Sequence, residues 1–274
     1  SIEKNRDEQK QAKLQLLINP FILRRRKEEV ATELPPVTEQ VIYCGMSEKQ
    51  KSVYESEKSM IRNHILENID SMGVEKSAIQ ILKALNRLRL LSNHPVLAIP
   101  EYEGDSGKYD EIQRRIESII EGGHKVLIFS FYVIHLNLIQ KYCEDKGWKF
   151  SKLTGQMHER ERKSEIQKFY ADTDNHIFLI SLKAGGLGLN LTAADYVFIL
   201  DPWWNPAVEE QAISRSHRIG QEKNVFVYRF ISKETIEEKI QLLQERKSSL
   251  AETFINSNNP FKSMNRDTVD DLFS

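Results

Sequence analysis

The sequence predicts an α/β fold: a mainly parallel sheet covered by helices on both faces, preceded by a helical segment. Two observations carry this expectation. The runs KVLIFSF (125–131), HIFLISL (176–182) and YVFILD (196–201) are nearly continuous in apolar residues, the pattern of strands buried on both faces. Segments of helical periodicity separate most of the strand-like runs, as crossover connections between parallel strands require.

Taken in order, residues 1–33 read as helix-rich and strongly charged. Pro20 interrupts them, and Arg24, Arg25, Arg26 and Lys27 follow. This basic run is either a solvated helix face or a phosphate-contacting patch, diluted by Glu28 and Glu29. The first residues lack an apolar leader core and resemble a cut inside a larger protein. Leu34, Pro35 and Pro36 break the chain. A strand is expected over 38–46. Ser47 then suits an N-cap, with Gln50 at capping-box spacing. Two helices run to His94 with a soft break at 70–73. In the second, Ile79, Leu82 and Leu85, with Ile81 and Leu88 beside them, form the expected apolar stripe, and Arg87 and Arg89 lie away from it. His64 and His94 have no ligand-spaced partners and read as structural or surface residues.

After a loop at 101–107 the alternation begins. A helix over 109–121 ends at Gly122 and Gly123. There follow strand 125–131, helix 133–146, strand 148–153, a turn at Thr154 and Gly155, and helix 159–170. Strands 176–182 and 196–201, helix 206–217, strand 224–231 and a last helix over 235–254 complete the pattern. Pro206 suits the first turn of its helix, where a missing N–H costs nothing. Thr235 or Ser232 is placed to cap the last helix, Thr268 to cap a final turn at 268–271, and the polar tail 256–267 reads as loose.

The chain has 274 residues, 40% hydrophobic and 29% charged, with a net charge of −1, so nucleic-acid binding has to come from a local patch. Cys44 and Cys143 show no metal spacing, and a reduced, intracellular compartment is the expectation. The uncharged stretch 126–140 is too short to span a bilayer. No membrane partner is expected.

For chemistry, no GxxxxGK[ST] cradle occurs: Gly107 and Lys108 are followed by Tyr109 where Ser or Thr has to hold the metal. GGLGLN (185–190) lacks the third glycine of a dinucleotide loop. The loop from Lys183 to Asn190, with Gly185, Gly186 and Gly188, is either an anion-binding nest or a tight connection. Arg215 and Arg218, three apart at the end of the helix expected from Pro206, fall on one face. They either straddle a phosphoryl group or form a surface pair with Glu209 or Glu210 as partners. Trp203 and Trp204 are either core residues or stack against nucleic acid. In a parallel sheet, Thr154, Gly155, Ser181 and Lys183 all converge with them on one edge.

These residues carry a resemblance. The run 181–221 resembles motifs V and VI of the Swi/Snf-type DNA translocases, within superfamily 2 of helicase-like ATPases. PFILRRRKEEVATELPPVTEQ (20–40), NRLRLLSNHPVL (86–97), SGKYDEI (106–112), KVLIFSFY (125–132), KLTGQMHERER (152–162) and VDDLF (269–273) follow the same family's order. The resemblance covers nearly the whole chain. It implies the C-terminal RecA-like lobe with a small all-helical protrusion. The division would be a linker and first helix or strand at 1–46, a helical segment at 47–100, the lobe at 101–232 and a C-terminal brace at 233–274.

It also implies roles. Arg215 and Arg218 match the arginines that reach across to ATP, Gln211 begins their motif, and Gly188 and Asn190 match positions approaching nucleotide. Ser130, Thr154, Gly155, Ser181, Lys183, Ala184 and Trp204 match positions facing DNA. ATP with Mg²⁺ would be bound mainly by an N-terminal RecA-like lobe of the same protein, so this chain alone is expected to be inactive. Double-stranded DNA, and a DNA-bound protein, are the implied partners. The implied location is the cytoplasm or nucleoid, or the nucleus in a eukaryote. Ser214 stands where the family often has Asp, which removes an acidic contact. The short insertion between His64 and Ser77, WWNP and the short C-terminus resemble bacterial and archaeal members. A non-catalytic nucleic-acid-binding module and a nucleotide-dependent transferase remain the alternatives.

Overall fold

The computed structural model describes residues 17, 33–184, 190–203, 205–245 and 266–274. The basic run at 24–27, the glycines Gly185, Gly186 and Gly188, Trp204 and most of the 256–267 tail lie outside the described residues. Pro35–Ser274 forms one compact unit.

Its centre is a six-stranded, all-parallel sheet: β1 (Val37–Cys44), β2 (Val126–Ser130), β3 (Phe150–Leu153), β4 (Ile177–Ser181), β5 (Tyr196–Ile199) and β6 (Val225–Ser232), in the order β1-β6-β5-β2-β4-β3. In β2 and β4 every residue is buried, which is why their sequences do not alternate. β1 is an edge strand and does alternate in part. Helices cover both faces. One face packs Leu127, Phe129, Phe178 and Ile180 with Phe169 of α5 (Glu159–Ala171) and Ala212 and Ile213 of α6 (Pro206–Ile213). The other packs Ile128, Leu179, Phe198 and Phe230 with Ile112 and Ile116 of α3 (Gly107–Glu121) and Leu136 and Ile139 of α4 (Val133–Asp145).

A second core joins α1 (Glu48–Met72) and α2 (Val74–Asn93) to α7 (Ile236–Glu245) and α8 (Arg266–Phe273). Gly73, at φ 83°, separates α1 from α2, a conformation that suits glycine. Arg62 grips Asp270 with two hydrogen bonds at 2.6 and 2.9 Å, and Val269, Leu272 and Phe273 enter this core.

Several expectations need correction. Ile79 and Leu82 are exposed, whereas Ile81, Ala84, Leu85, Leu88 and Leu91 are buried. The core stripe is thus rotated, and Arg89, expected outside it, is 2% exposed. The Ser47 cap forms, but only half of the capping box does. Gln50 uses its side chain to bind the Leu91 and Ser92 carbonyls and the Gly107 N–H instead. Thr235, not Ser232, caps α7, and Thr268 lies inside α8 rather than at its start. His64 is exposed, and His94 caps the short turn Pro95–Leu97 by accepting from Val96 N.

Candidate nucleotide and nucleic-acid interface

Because every strand pairing is parallel, the strand ends at Cys44, Ser130, Leu153, Ser181, Ile199 and Ser232 share one edge. After β2 the chain runs to one side of the sheet, to β3. After β5 it runs to the other, to β6. The ends of the adjacent strands β2 and β5 are therefore the switch point at which open α/β sheets bind ligands.

In this chain that point is closed by a buried polar network. Asp201 accepts from the Ser130 hydroxyl and from Phe131 N at 2.8 Å. The Arg89 guanidinium lies 3.9 Å away and His135 Nδ1 3.6 Å away. The His135 separation is longer than an ordinary hydrogen bond. Burial by itself would raise the Asp201 pKa. His135, Arg89 and the Ser130 bond outweigh burial and hold the carboxyl below its ordinary range. Ser130 is fully buried and its hydroxyl is committed to Asp201. Its expected DNA contact is therefore corrected: its side chain shapes the edge from inside.

The remaining expected DNA-facing residues divide. Gly155 and Lys183 are exposed and Thr154 is half-buried. Ser181 and Ala184 are buried, joined by a backbone hydrogen bond of 2.8 Å that turns the chain after β4. These two residues turn the chain directly after β4, and Lys183 carries its charge outward. The Lys183 ammonium stands 4.7 Å from the Phe131 ring centroid. The Arg162 guanidinium holds the Gly155 carbonyl at 3.1 Å, fixing the turn after β3.

Arg215 and Arg218 are not on a helix. α6 stops at Ile213, and both arginines lie in the tight turns that follow. The physical reason is competition for backbone and hydroxyl groups. The Ser214 hydroxyl folds back on the Gln211 carbonyl at 2.8 Å, and Ser216 Oγ donates to Ala194 O at 2.6 Å. Leu191 N takes the Arg215 carbonyl at 2.9 Å. Gln221 completes the staple, its amide donating to Thr192, Ala194 and Ser216 carbonyls at 3.1, 2.9 and 3.2 Å. Arg215 is 7% exposed, and its Nε has no hydrogen-bond partner among the described residues. Burial, with Arg218 adding like charge, lowers its pKa from the ordinary arginine value. Arg218, Gln211 and Asn190 are exposed; Asn190 offers its carbonyl to Tyr170 at 3.3 Å. Gly188 and Trp204 lie outside the described residues.

Sequence reasoning missed the buried roles of Arg89, Lys108, Glu209 and Gln221, with Glu209 offered only as a surface partner of the arginines. Lys108, noted only as part of a failed phosphate cradle, is buried with Glu237 and also binds Asn93 Oδ1 and Leu200 O at 3.0 and 3.1 Å. Glu209 is buried beneath the turn after β5, accepting from Trp203 N at 2.8 Å and from Arg229 at 3.2 Å. Burial raises the Glu209 pKa despite these partners. For Arg89 the available signal was a charge inside the apolar run 88–91, since such groups are buried only with partners; Lys108, Glu209 and Gln221 stand among polar residues and carry no such signal.

An all-parallel sheet with helices on both faces and phosphate-suited groups at one edge is a RecA-like lobe. Residues 2–97 match the family described as SNF2-related domain, and residues 107–220 match the helicase conserved C-terminal domain. YwqA of Bacillus subtilis (strain 168) is 37% identical over 281 residues, covering 100% of this chain and 30% of that protein. The mouse (Mus musculus) SWI/SNF-related matrix-associated actin-dependent regulator of chromatin subfamily A member 1 is 38% identical over 240 residues, covering 83% and 22%. Among solved structures, the Sulfolobus solfataricus SWI2/SNF2 ATPase C-terminal domain matches with TM-score 0.70 and 29% identity, covering 85% of this chain and 96% of that one. The ATPase core of the same organism in complex with dsDNA matches with TM-score 0.70 and 33% identity, covering 94% and 55%. The chain belongs to the SNF2-related family of helicase-like proteins. It spans less than a third of either curated relative's length. Among the described residues no helix is long and apolar enough to cross a membrane.

Proposed function

We propose that this chain is the C-terminal motor lobe of an ATP-dependent translocase on double-stranded DNA, with α1 and α2 as its helical protrusion and α7 and α8 as its brace. The observation that carries the reading is Arg215: a guanidinium 7% exposed with an unpartnered Nε, on a turn stapled by Ser216 and Gln221. A buried cation without a carboxylate is costly unless an anion arrives to meet it. Here Arg215 and Arg218 reach the phosphates of ATP held by an N-terminal RecA-like lobe of the same protein. They stabilise the charge that spreads over the transferring phosphoryl group, as arginine fingers do. Gln211, Gly188 and Asn190 border the same nucleotide.

On the other flank, Thr154, Gly155, Lys183 and Trp204 meet the phosphate backbone of the duplex, with Ser181 and Ala184 shaping the loop. Contacts of this kind fix register and carry no sequence information. Among the described residues no group of three or more His, Cys, Asp or Glu is placed to hold a metal. In this reading the Mg²⁺ that accompanies ATP is held mainly by the N-terminal lobe.

The test is ATP turnover with and without duplex DNA. The whole protein should turn over ATP faster with DNA, and this chain alone should not turn it over at all. Arg218→Ala in the whole protein should abolish stimulated turnover while duplex affinity stays within about twofold. Robust turnover by this chain alone, or unchanged kcat in Arg218→Ala, overturns the reading. A whole protein that binds duplex DNA but does not turn over ATP would instead favour a non-catalytic binding module.

A further inference from the structure

Four residues from four segments form a continuous cation–aromatic stack beside the switch point. Arg89, on α2, is 2% exposed and donates through Nη2 to the Pro202 carbonyl at 2.6 Å. Its guanidinium carbon lies 4.9 Å from the Trp203 ring centroid, 5.1 Å from that of Tyr132 and 5.7 Å from that of Phe131. Trp203 is stacked on Phe131, with centroids 3.7 Å apart and planes at 14°. Lys183, exposed after β4, stands 4.7 Å over the Phe131 ring.

Trp203 is held by its backbone as well. Its N–H goes to Glu209 of α6, and its carbonyl is taken by Gln244 of α7. The aromatic pair is thus fixed from α2, α6 and α7 and presents one exposed cation to solvent. Energetically this is an expensive arrangement. A buried arginine with an unpartnered Nε is tolerated where its planar fork and its stacking face are both used. Lysine has neither the fork nor the plane.

We infer that Arg89 is a positioning residue for the duplex contact made by Lys183, acting through the stacked pair Trp203 and Phe131. This rests on the proposed reading of Lys183 as a phosphate contact. Arg89 never touches DNA. It holds the Pro202 carbonyl and the Trp203 ring, Trp203 holds Phe131, and the face of Phe131 restrains an ammonium that would otherwise sample many rotamers. Restraining a flexible lysine before binding removes part of the ordering cost of the complex. The helical protrusion thereby sets the geometry of a backbone contact on the lobe.

The experiment is a double-mutant cycle on the whole protein, with fluorescein-labelled duplex DNA and anisotropy at one fixed, low salt concentration. Lys183→Ala should weaken binding about fivefold, the scale of one lost phosphate contact. Arg89→Ala alone should weaken it by a similar factor. The two together should be no worse than Lys183→Ala alone, because Arg89 acts only through Lys183. Arg89→Lys should recover less than half of the loss. If Arg89→Ala fails to fold by circular dichroism, Phe131→Leu takes its place, with the same masked effect expected. Additive losses, or a full-strength Arg89→Ala or Phe131→Leu protein, overturn the inference. A Lys183→Ala protein that binds duplex normally overturns the duplex reading of Lys183 itself, which separates the two failures.

Discussion

The Gln221 side-chain amide donates to the Ala194 carbonyl at 2.9 Å, and through the same nitrogen to Thr192 and Ser216. One side chain thereby closes the turn that carries both arginines onto the segment leading into β5. Arg218 lies inside this closure, its carbonyl accepting from Gln221 N at 2.9 Å and its N–H donating to Ser216 O at 3.2 Å.

Gln221→Leu should therefore act twice. It takes the Gln221 donor from the Thr192 carbonyl and leaves the Ala194 and Ser216 carbonyls only their bonds from Ser216 Oγ and Arg218 N–H, which costs about 1–2 kcal/mol in denaturant-derived stability. It also releases the arginine turn, so stimulated ATP turnover of the whole protein should fall more than tenfold, while duplex affinity changes by less than about threefold. Urea denaturation and a turnover assay check the two parts. Equal losses in turnover and duplex affinity would show that Gln221 supports the lobe generally and not this turn.

Lys108 and Glu237 form a fully buried ion pair between α3 and α7. Glu237 also accepts from Ser232 N at 2.9 Å. Lys108→Met removes the cation and strands the carboxylate in a dry site, so stability should fall by about 3–5 kcal/mol. Adding Glu237→Gln should restore more than half of the loss, because the uncompensated charge is then gone. The check is chemical denaturation of the single and double variants. A single variant within about 1 kcal/mol of the parent would mean the site admits water.

His94 gives a pH dependence with a definite sign. The ring is 8% exposed and uses Nδ1 to accept from Val96 N, which requires the neutral form. Burial, with His135 adding to it, lowers its pKa from 6.5 to about 4. The folded value is depressed, so the unfolded chain binds the proton first as pH falls. The stability contribution is whole above pH 6.5 and is lost as pH falls from there toward 4, by about 2 kcal/mol. His94→Asn keeps a side-chain cap and should flatten stability across that window. Urea midpoints from pH 7 to pH 4.5 provide the measurement, and parallel curves for parent and variant would remove His94 as the cause.

Much of this architecture is legible in the sequence, because β2, β4 and β5 are apolar apart from the terminal serines Ser130 and Ser181, and a sheet covered on both faces buries such runs. The convergence of Thr154, Gly155, Ser181 and Lys183 follows from parallel order alone. What pattern could not reach depends on contacts between distant segments. The rotated face of α2 is set by α1, α7 and α8, so Ile79 and Leu82 turn outward where helical spacing placed them inside. The end of α6 at Ile213 is set by hydrogen bonds to residues 191–194, which helical spacing does not register. Ser130 enters as a DNA-facing position only through the family resemblance, and only the adjacency of β2 and β5 reveals Asp201 as its acceptor.

Two glycines separate packing from function. A Cβ on Gly107 would lie 1.8 Å from the Gly45 carbonyl oxygen, a backbone atom that cannot swing aside. Gly107→Ala should therefore force β1 and α3 apart and cost about 2–3 kcal/mol. A Cβ on Gly155 meets nothing within 4 Å, so Gly155→Ala should be as stable as the parent or slightly more so, through a stiffer unfolded chain. Gly155 is nonetheless exposed beside Thr154. If a duplex phosphate approaches this turn, the added methyl stands in its way, and duplex affinity of the whole protein should fall about threefold or more with no loss of melting temperature. Thermal melts and duplex titrations of the two variants give opposite patterns on this account: Gly107→Ala loses stability, and Gly155→Ala loses only affinity. A Gly155→Ala protein with unchanged affinity would place the phosphate path elsewhere on this edge, and one that melts early would mean the turn is under packing constraint.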